Sequence, residues 1–146
     1  HKSCEKSVDY YRGNIRVTHD KNNNPHCIQK VRLGSSDIKN TKGGVDVRLS
    51  ICTESPISLP DDIDPTKELR GQNFDTIREK IKYTFHYKDL WKYDFTIVND
   101  SIYEIEVELL HPRCSLKKYT VQYLAESITL KIGDIMKMVD QRTSTT

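Results

Sequence analysis

Residues Tyr103–Leu110 read YEIEVELL, with Glu104, Glu106 and Glu108 at every second position. In a strand, alternate side chains share a face. Three carboxylates therefore line one side, and Tyr103, Ile105, Val107 and Leu109 line the other. Neighbours on a face sit roughly 7 Å apart, two strand rises. At that spacing three like charges repel unless something opposite faces them.

The preceding segments supply that opposite charge. Thr76–Tyr87 (TIREKIKYTFHY) starts helix-compatible and turns strand-like, with Arg78, Lys80 and Lys82 alternating. Lys88–Asp89 makes a short turn into Leu90–Val98 (LWKYDFTIV), whose polar face carries Lys92, Asp94 and Thr96. Asn99–Ser101 turns again into Ile102–Leu110. Short turns between alternating runs specify an antiparallel meander. Its apolar faces (Ile81, Tyr83, Phe85; Tyr93, Phe95, Ile97; Ile105, Val107, Leu109) form one surface for a covering layer.

Upstream, Tyr10–His19 (YYRGNIRVTH) reads as one strand, Asp20–Pro25 as a turn and Cys27–Leu33 (CIQKVRL) as its partner. Gly34–Gly44 reads as a loop, and Val45–Thr53 (VDVRLSICT) alternates as a strand with Glu54 continuing its polar side. Residues 55–73 hold three prolines and three aspartates and read as a long exposed loop inside a single domain, 1–146. Downstream, Pro112 ends the meander. Ser115–Asp140 has helical apolar spacing, with Ser115 as a cap and Gly133 as a weak point. Five or six antiparallel strands and a segregated C-terminal helix give an α+β chain or a barrel.

Composition narrows the classes. The chain has 146 residues, 30% charged and 36% apolar, with a net charge of +2 and a mean hydropathy of -0.68. No apolar run approaches the ~20 residues of a membrane-spanning helix, so no membrane partner is expected. Cys4, Cys27, Cys52 and Cys114 are scattered without zinc spacing, which points to reduced thiols in a cytosolic or nuclear setting.

Two readings of the charged faces follow. A solvated sheet side would gain ~0.2–1 kcal/mol per cross-strand pair. A closed polar interior would group carboxylates to hold a hard divalent cation and bases to clamp phosphate. Segregation of acids and bases by strand suits the second, where a cation would relieve the glutamate repulsion, and on physical grounds both readings stay open.

These strands also resemble a known family. YEIEVEL looks like the C-terminal glutamate strand of the triphosphate tunnel metalloenzymes, specifically the fungal and protozoan type of mRNA-capping RNA 5′-triphosphatase. VDVRLSICTE is similar to that family's Arg-x-Ser strand ending in glutamate, REKIKY to its basic strand and WKYDFTIV to its basic-x-Asp-x-Thr strand. NIRVTHD and CIQKVRL resemble an earlier pair carrying an arginine and a lysine, so the likeness runs over roughly Val8–Leu110.

The resemblance implies an antiparallel β-tunnel of about eight strands when complete, with the C-terminal helix packed outside. It implies Mg²⁺ or Mn²⁺ on Glu104, Glu106 and Glu108. Arg16, Lys80 and Lys82 would hold the γ-phosphate, supported by Lys30 and Arg78. Lys92, Asp94 and Thr96 would orient neighbours, and Glu54 would position or deprotonate the attacking water. The implied reaction is hydrolysis of the β–γ bond at the 5′-triphosphate end of nascent RNA, in the nucleus, or in the cytoplasm for a viral or parasite protein. Implied partners are an mRNA guanylyltransferase and a second copy of the chain. The alternatives are a tunnel-type tripolyphosphatase or polyphosphate enzyme, and a non-catalytic polyanion-binding β-domain. Two departures stand out. Lys92 occupies a position that is commonly arginine, and no Glu-x-Glu strand precedes Val8, where Glu5 stands alone. The chain is therefore expected to be a C-terminal portion completed by an N-terminal segment of the same protein.

Overall fold

The computed structural model describes residues 2–20, 25–39, 45–88, 90–110 and 119–143. Seven strands form one antiparallel sheet: β1 (Lys2–Arg12), β2 (Ile15–Asp20), β3 (His26–Ile38), β4 (Val47–Ile57), β5 (Thr76–Tyr87), β6 (Trp91–Val98) and β7 (Ile102–Leu109). Their order is β4-β3-β2-β1-β5-β6-β7. One helix, α1 (Val121–Thr143), follows.

The sheet is curled. A flat sheet would place β3 and β7 five strand spacings apart, about 24 Å. Yet the Lys30 ammonium on β3 acts on the Glu106 carboxyl of β7, which requires the walls to approach. The polar faces therefore line a trough, and the apolar faces lie outside it.

The meander has its expected strands, and the segment starting at Thr76 is strand from its first residue. The N-terminal half corrects several expectations. Tyr10–His19 is not one strand: Arg12 pairs with Ile15 across a two-residue turn at Gly13–Asn14. Gly13 takes φ +56°, a conformation open to glycine at no steric cost. The strand before that turn runs back to Lys2, so the described residues hold seven strands rather than five or six. β3 continues to Ile38 where a loop from Gly34 was expected, because Gly34–Ile38 pair with β4 beyond a bulge between Arg32 and Gly34. β4 runs through Pro56, which an edge strand tolerates because one of its sides needs no ladder bonds.

Two apolar clusters cover the outside. Tyr10, Val17 and Cys27 pack with Ile63 and Leu69, joined by Ile57, Phe74 and Ile77. The expected exposed loop, 55–73, thus contributes two buried side chains. The second cluster sets Leu90, Trp91, Tyr93, Val107 and Leu109 against Tyr119, Leu124 and Ile128, which places α1 outside the sheet. The helix starts at Val121 instead of near Ser115, and the Thr120 hydroxyl accepts the Tyr123 amide at 3.1 Å, capping it. It passes Gly133 without a break. Pro112 and Ser115 lie outside the described residues.

Candidate active site

The ladder register decides which polar side chains meet in the trough. Lys92 pairs with Glu108, Asp94 with Glu106 and Thr96 with Glu104. Two carboxylates thus stand directly opposite each other at Asp94 and Glu106, an arrangement that costs energy without a cation. Oxygens of Asp94, Glu106 and Glu108 all lie within 4.8 Å of one another. The Lys92 ammonium bridges Glu108 at 2.5 Å and Asp94 at 3.1 Å, and the Thr84 hydroxyl donates to Asp94 at 2.6 Å. Three carboxylates against one ammonium leave two negative charges, the complement of a divalent ion. Burial within the trough, then the charges of Glu108, Asp94 and Glu104, push the Glu106 carboxyl above the usual glutamate range, while Lys30 pulls it down. An all-oxygen, net-anionic set suits Mg²⁺ or Mn²⁺ chemically. Glu104 is drawn elsewhere, onto the Arg78 guanidinium across β6 at 2.5 Å.

The other wall is basic. Arg16 on β2 reaches Glu54 on β4 at 3.5 Å, and Lys30 on β3 reaches the same carboxylate at 3.1 Å. The sequence-predicted Glu54, Arg16 and Lys30 are thereby brought together. Arg16 Nε is buried and has no acceptor among the described residues. A guanidinium donor in that state is poised for an oxyanion. On β5, Lys80 is paired with Asp9, whereas Lys82 stands 3.9 Å from Glu5, its nearest carboxylate. Lys82 is the more available of the two.

Sequence reasoning missed Asp9. It has 0% exposure and organises the floor of the trough. Its Oδ1 accepts the Thr18 hydroxyl at 2.8 Å, and its Oδ2 accepts the Tyr11 hydroxyl at 3.0 Å and the Lys80 ammonium. Burial opposes its charge, but Lys80 and Thr18, with Arg16 nearby, outweigh burial and hold the carboxyl below the usual aspartate range. The signal was present: Glu5, Ser7 and Asp9 alternate as the glutamates of β7 do.

With this geometry in view, the comparisons with known proteins are specific. The family model described as mRNA capping enzyme, beta chain, matches residues 5–141. The RNA triphosphatase Pct1 of S. pombe, solved in complex with the Spt5 CTD, superposes with a TM-score of 0.61 at 20% identity. That match covers 99% of this chain and 56% of the other, so the chain spans little more than half the length of the protein it resembles in fold. A comparison with curated proteins returns no match.

Proposed function

This chain belongs to the mRNA capping enzyme beta-chain family, and we propose that it serves as a divalent-metal-dependent RNA 5′-triphosphatase. The observation that carries this reading is one trough with three clustered carboxylates on its β6–β7 wall and a buried guanidinium donor without an acceptor, Arg16 Nε, on the other side. The substrate is the 5′-triphosphate end of RNA. Water attacks the γ-phosphorus, the bond from that phosphorus to the β–γ bridging oxygen breaks, and phosphate leaves a diphosphate end for a guanylyltransferase. A substrate of this kind implies action in the nucleus, or in the cytoplasm for a viral or parasite protein.

Asp94, Glu106 and Glu108 are the residues that would hold the ion. When bound, Mg²⁺ or Mn²⁺ supplies charge neutralisation for the triphosphate oxygens and the departing diphosphate. The remaining work falls to the chain's own side chains. Arg16 and Lys82 bind the terminal phosphate, with Lys80, Lys30 and Arg78 completing a cationic wall that stabilises charge as the bond breaks. Glu54, held between Arg16 and Lys30, accepts a hydrogen bond from the attacking water and orients it. Thr96 and Lys92 keep the β6–β7 carboxylates in register.

The test is release of labelled terminal phosphate from triphosphate-ended RNA by the protein that carries this chain. Release should require Mg²⁺ or Mn²⁺ and fall at least 10²-fold in Glu108→Ala and Arg16→Ala, the scale for losing one electrostatic contact to the transition state. Unchanged release in both variants would sink the reading. Faster turnover of inorganic tripolyphosphate than of RNA would move the assignment to a polyphosphate enzyme.

A further inference from the structure

Tyr11 is the one phenylalanine, tyrosine or tryptophan that the strand register sets on the trough face among the described residues. It sits on β1, between the two strands that bring guanidinium groups: Arg16 is its direct partner on β2, and Arg78 on β5 pairs with Asp9, two residues away. We propose that Tyr11 is a positioning residue of the phosphate-binding wall, whose anchored phenol sets the spacing and orientation of Arg16 and Arg78. This rests on the triphosphatase reading above and extends it to a residue that touches no substrate itself.

The argument starts from the anchor. The Tyr11 hydroxyl donates to Asp9 Oδ2 at 3.0 Å. Asp9 is itself immobilised, because Thr18 takes its Oδ1 and Lys80 shares its Oδ2. The ring is thereby fixed on the trough face, where Arg16 faces it as its cross-strand partner. The Arg78 guanidinium also rests 6.0 Å from the centre of the ring, within cation–π range. Burial first, and then the Asp9 charge, raise the phenol's pKa, so it stays a neutral donor at working pH.

Each of the two guanidiniums has a carboxylate ready to pull it away from the ring. Glu54 draws Arg16 outward, and Glu104 draws Arg78 towards β7. The anchored ring, beside Arg16 and under Arg78, is the inner contact that opposes both pulls. Arg16 Nε stays unpartnered, the state a phosphate oxygen needs. A phenyl ring without the hydroxyl fills the same space but loses the anchor to Asp9 that fixes its position.

The experiment compares wild type with Tyr11→Phe in two assays on the protein that carries this chain. The first is binding of inorganic tripolyphosphate without metal, by calorimetry; the second is terminal-phosphate release from triphosphate RNA with Mn²⁺. Tyr11→Phe should weaken tripolyphosphate binding about 10-fold and lower kcat/KM roughly 10- to 100-fold, the scale of a misplaced catalytic contact. The melting temperature and its increase with Mn²⁺ should stay within about 3 °C of wild type, since a single hydrogen bond is lost and β6–β7 are untouched. In an Arg16→Lys background the added effect of Tyr11→Phe should shrink to under about 3-fold, because the geometry it sets is already gone. Wild-type binding and turnover in Tyr11→Phe would overturn the proposal, as would full additivity with Arg16→Lys or a wild type that binds no tripolyphosphate. If wild type binds tripolyphosphate, Tyr11→Phe binds it weakly and neither cleaves RNA, the role of Tyr11 stands and the RNA reading falls.

Discussion

Removing the Asp9 carboxylate should produce the largest loss of stability of any single change in the trough. Asp9→Ala leaves the Lys80 ammonium, 13% exposed, without its partner and strands the buried Thr18 hydroxyl. Breaking a buried pair from one side costs about 3–5 kcal/mol, mostly the uncompensated charge that remains. Partial relaxation of Lys80 towards solvent suggests about 4 kcal/mol. For 146 residues, an unfolding entropy of about 2.1 cal/mol/K per residue gives about 0.3 kcal/mol per degree. The melting temperature should then fall by about 13 °C in thermal unfolding followed by circular dichroism. Replacing both partners, Asp9→Ala with Lys80→Met, should recover at least half of that loss, since no charge is left buried alone. The sign with pH is also fixed. The folded carboxyl titrates below its ordinary 3.8, so its contribution is present above pH 3.8 and fades as pH falls through the folded value. The gap between wild type and Asp9→Ala should therefore close in acid. A single variant that loses under 1 kcal/mol, or a double variant no better than the single, would refute this account of the trough floor.

Three further outcomes are expected. Glu106→Gln removes one of three like charges gathered on the β6–β7 wall, so the metal-free protein should melt about 1 °C higher, on the scale of one screened pair; the stabilisation that Mn²⁺ gives wild type should vanish, and its persistence would count against these carboxylates as the ion's holders. Gly13→Ala meets no neighbouring atom within 4 Å, so its cost is conformational, about 1 kcal/mol at φ +56°; Gly34→Ala, equally unobstructed and without a positive φ, should be neutral by the same melt, and equal losses at both would contradict this. Trp91→Ala, at a side chain 3% exposed, should cost about 3–5 kcal/mol and expose the amides of α1 to hydrogen exchange. Retained protection there would show that the helix does not depend on that contact.

The meander was legible because its signals were local. Charge alternation, apolar alternation and two short turns all agreed from Thr76 to Leu110. The N-terminal half was harder because its evidence lay across the chain. Gly13 sits between strand-like residues, and the turn there shows only in the pairing of Arg12 with Ile15 and in its positive φ. Gly34, Ser35 and Ser36 have loop composition but are held extended by pairing with β4, as tertiary context overrides propensity. In the site, the alternation of glutamates showed a carboxylate wall but not its membership. Asp94 opposes Glu106 by register, and Glu104 turns to Arg78 across an intervening strand. Neither fact can be read before the strands are aligned.

The two outer clusters have a mechanical consequence. One braces β1–β4 together with the start of β5, and the other braces β6 and β7 beneath α1. Beyond Ile77, the outer face of β5 lies between these buttresses, and Phe85 there is 37% exposed. The sheet is thus two braced plates joined along a strand with less apolar cover, and that strand carries Lys80 and Lys82. Any widening or narrowing of the trough swings the carboxylate wall and the Glu54 wall about these two lysines, which stay near the pivot while the groups around them change distance.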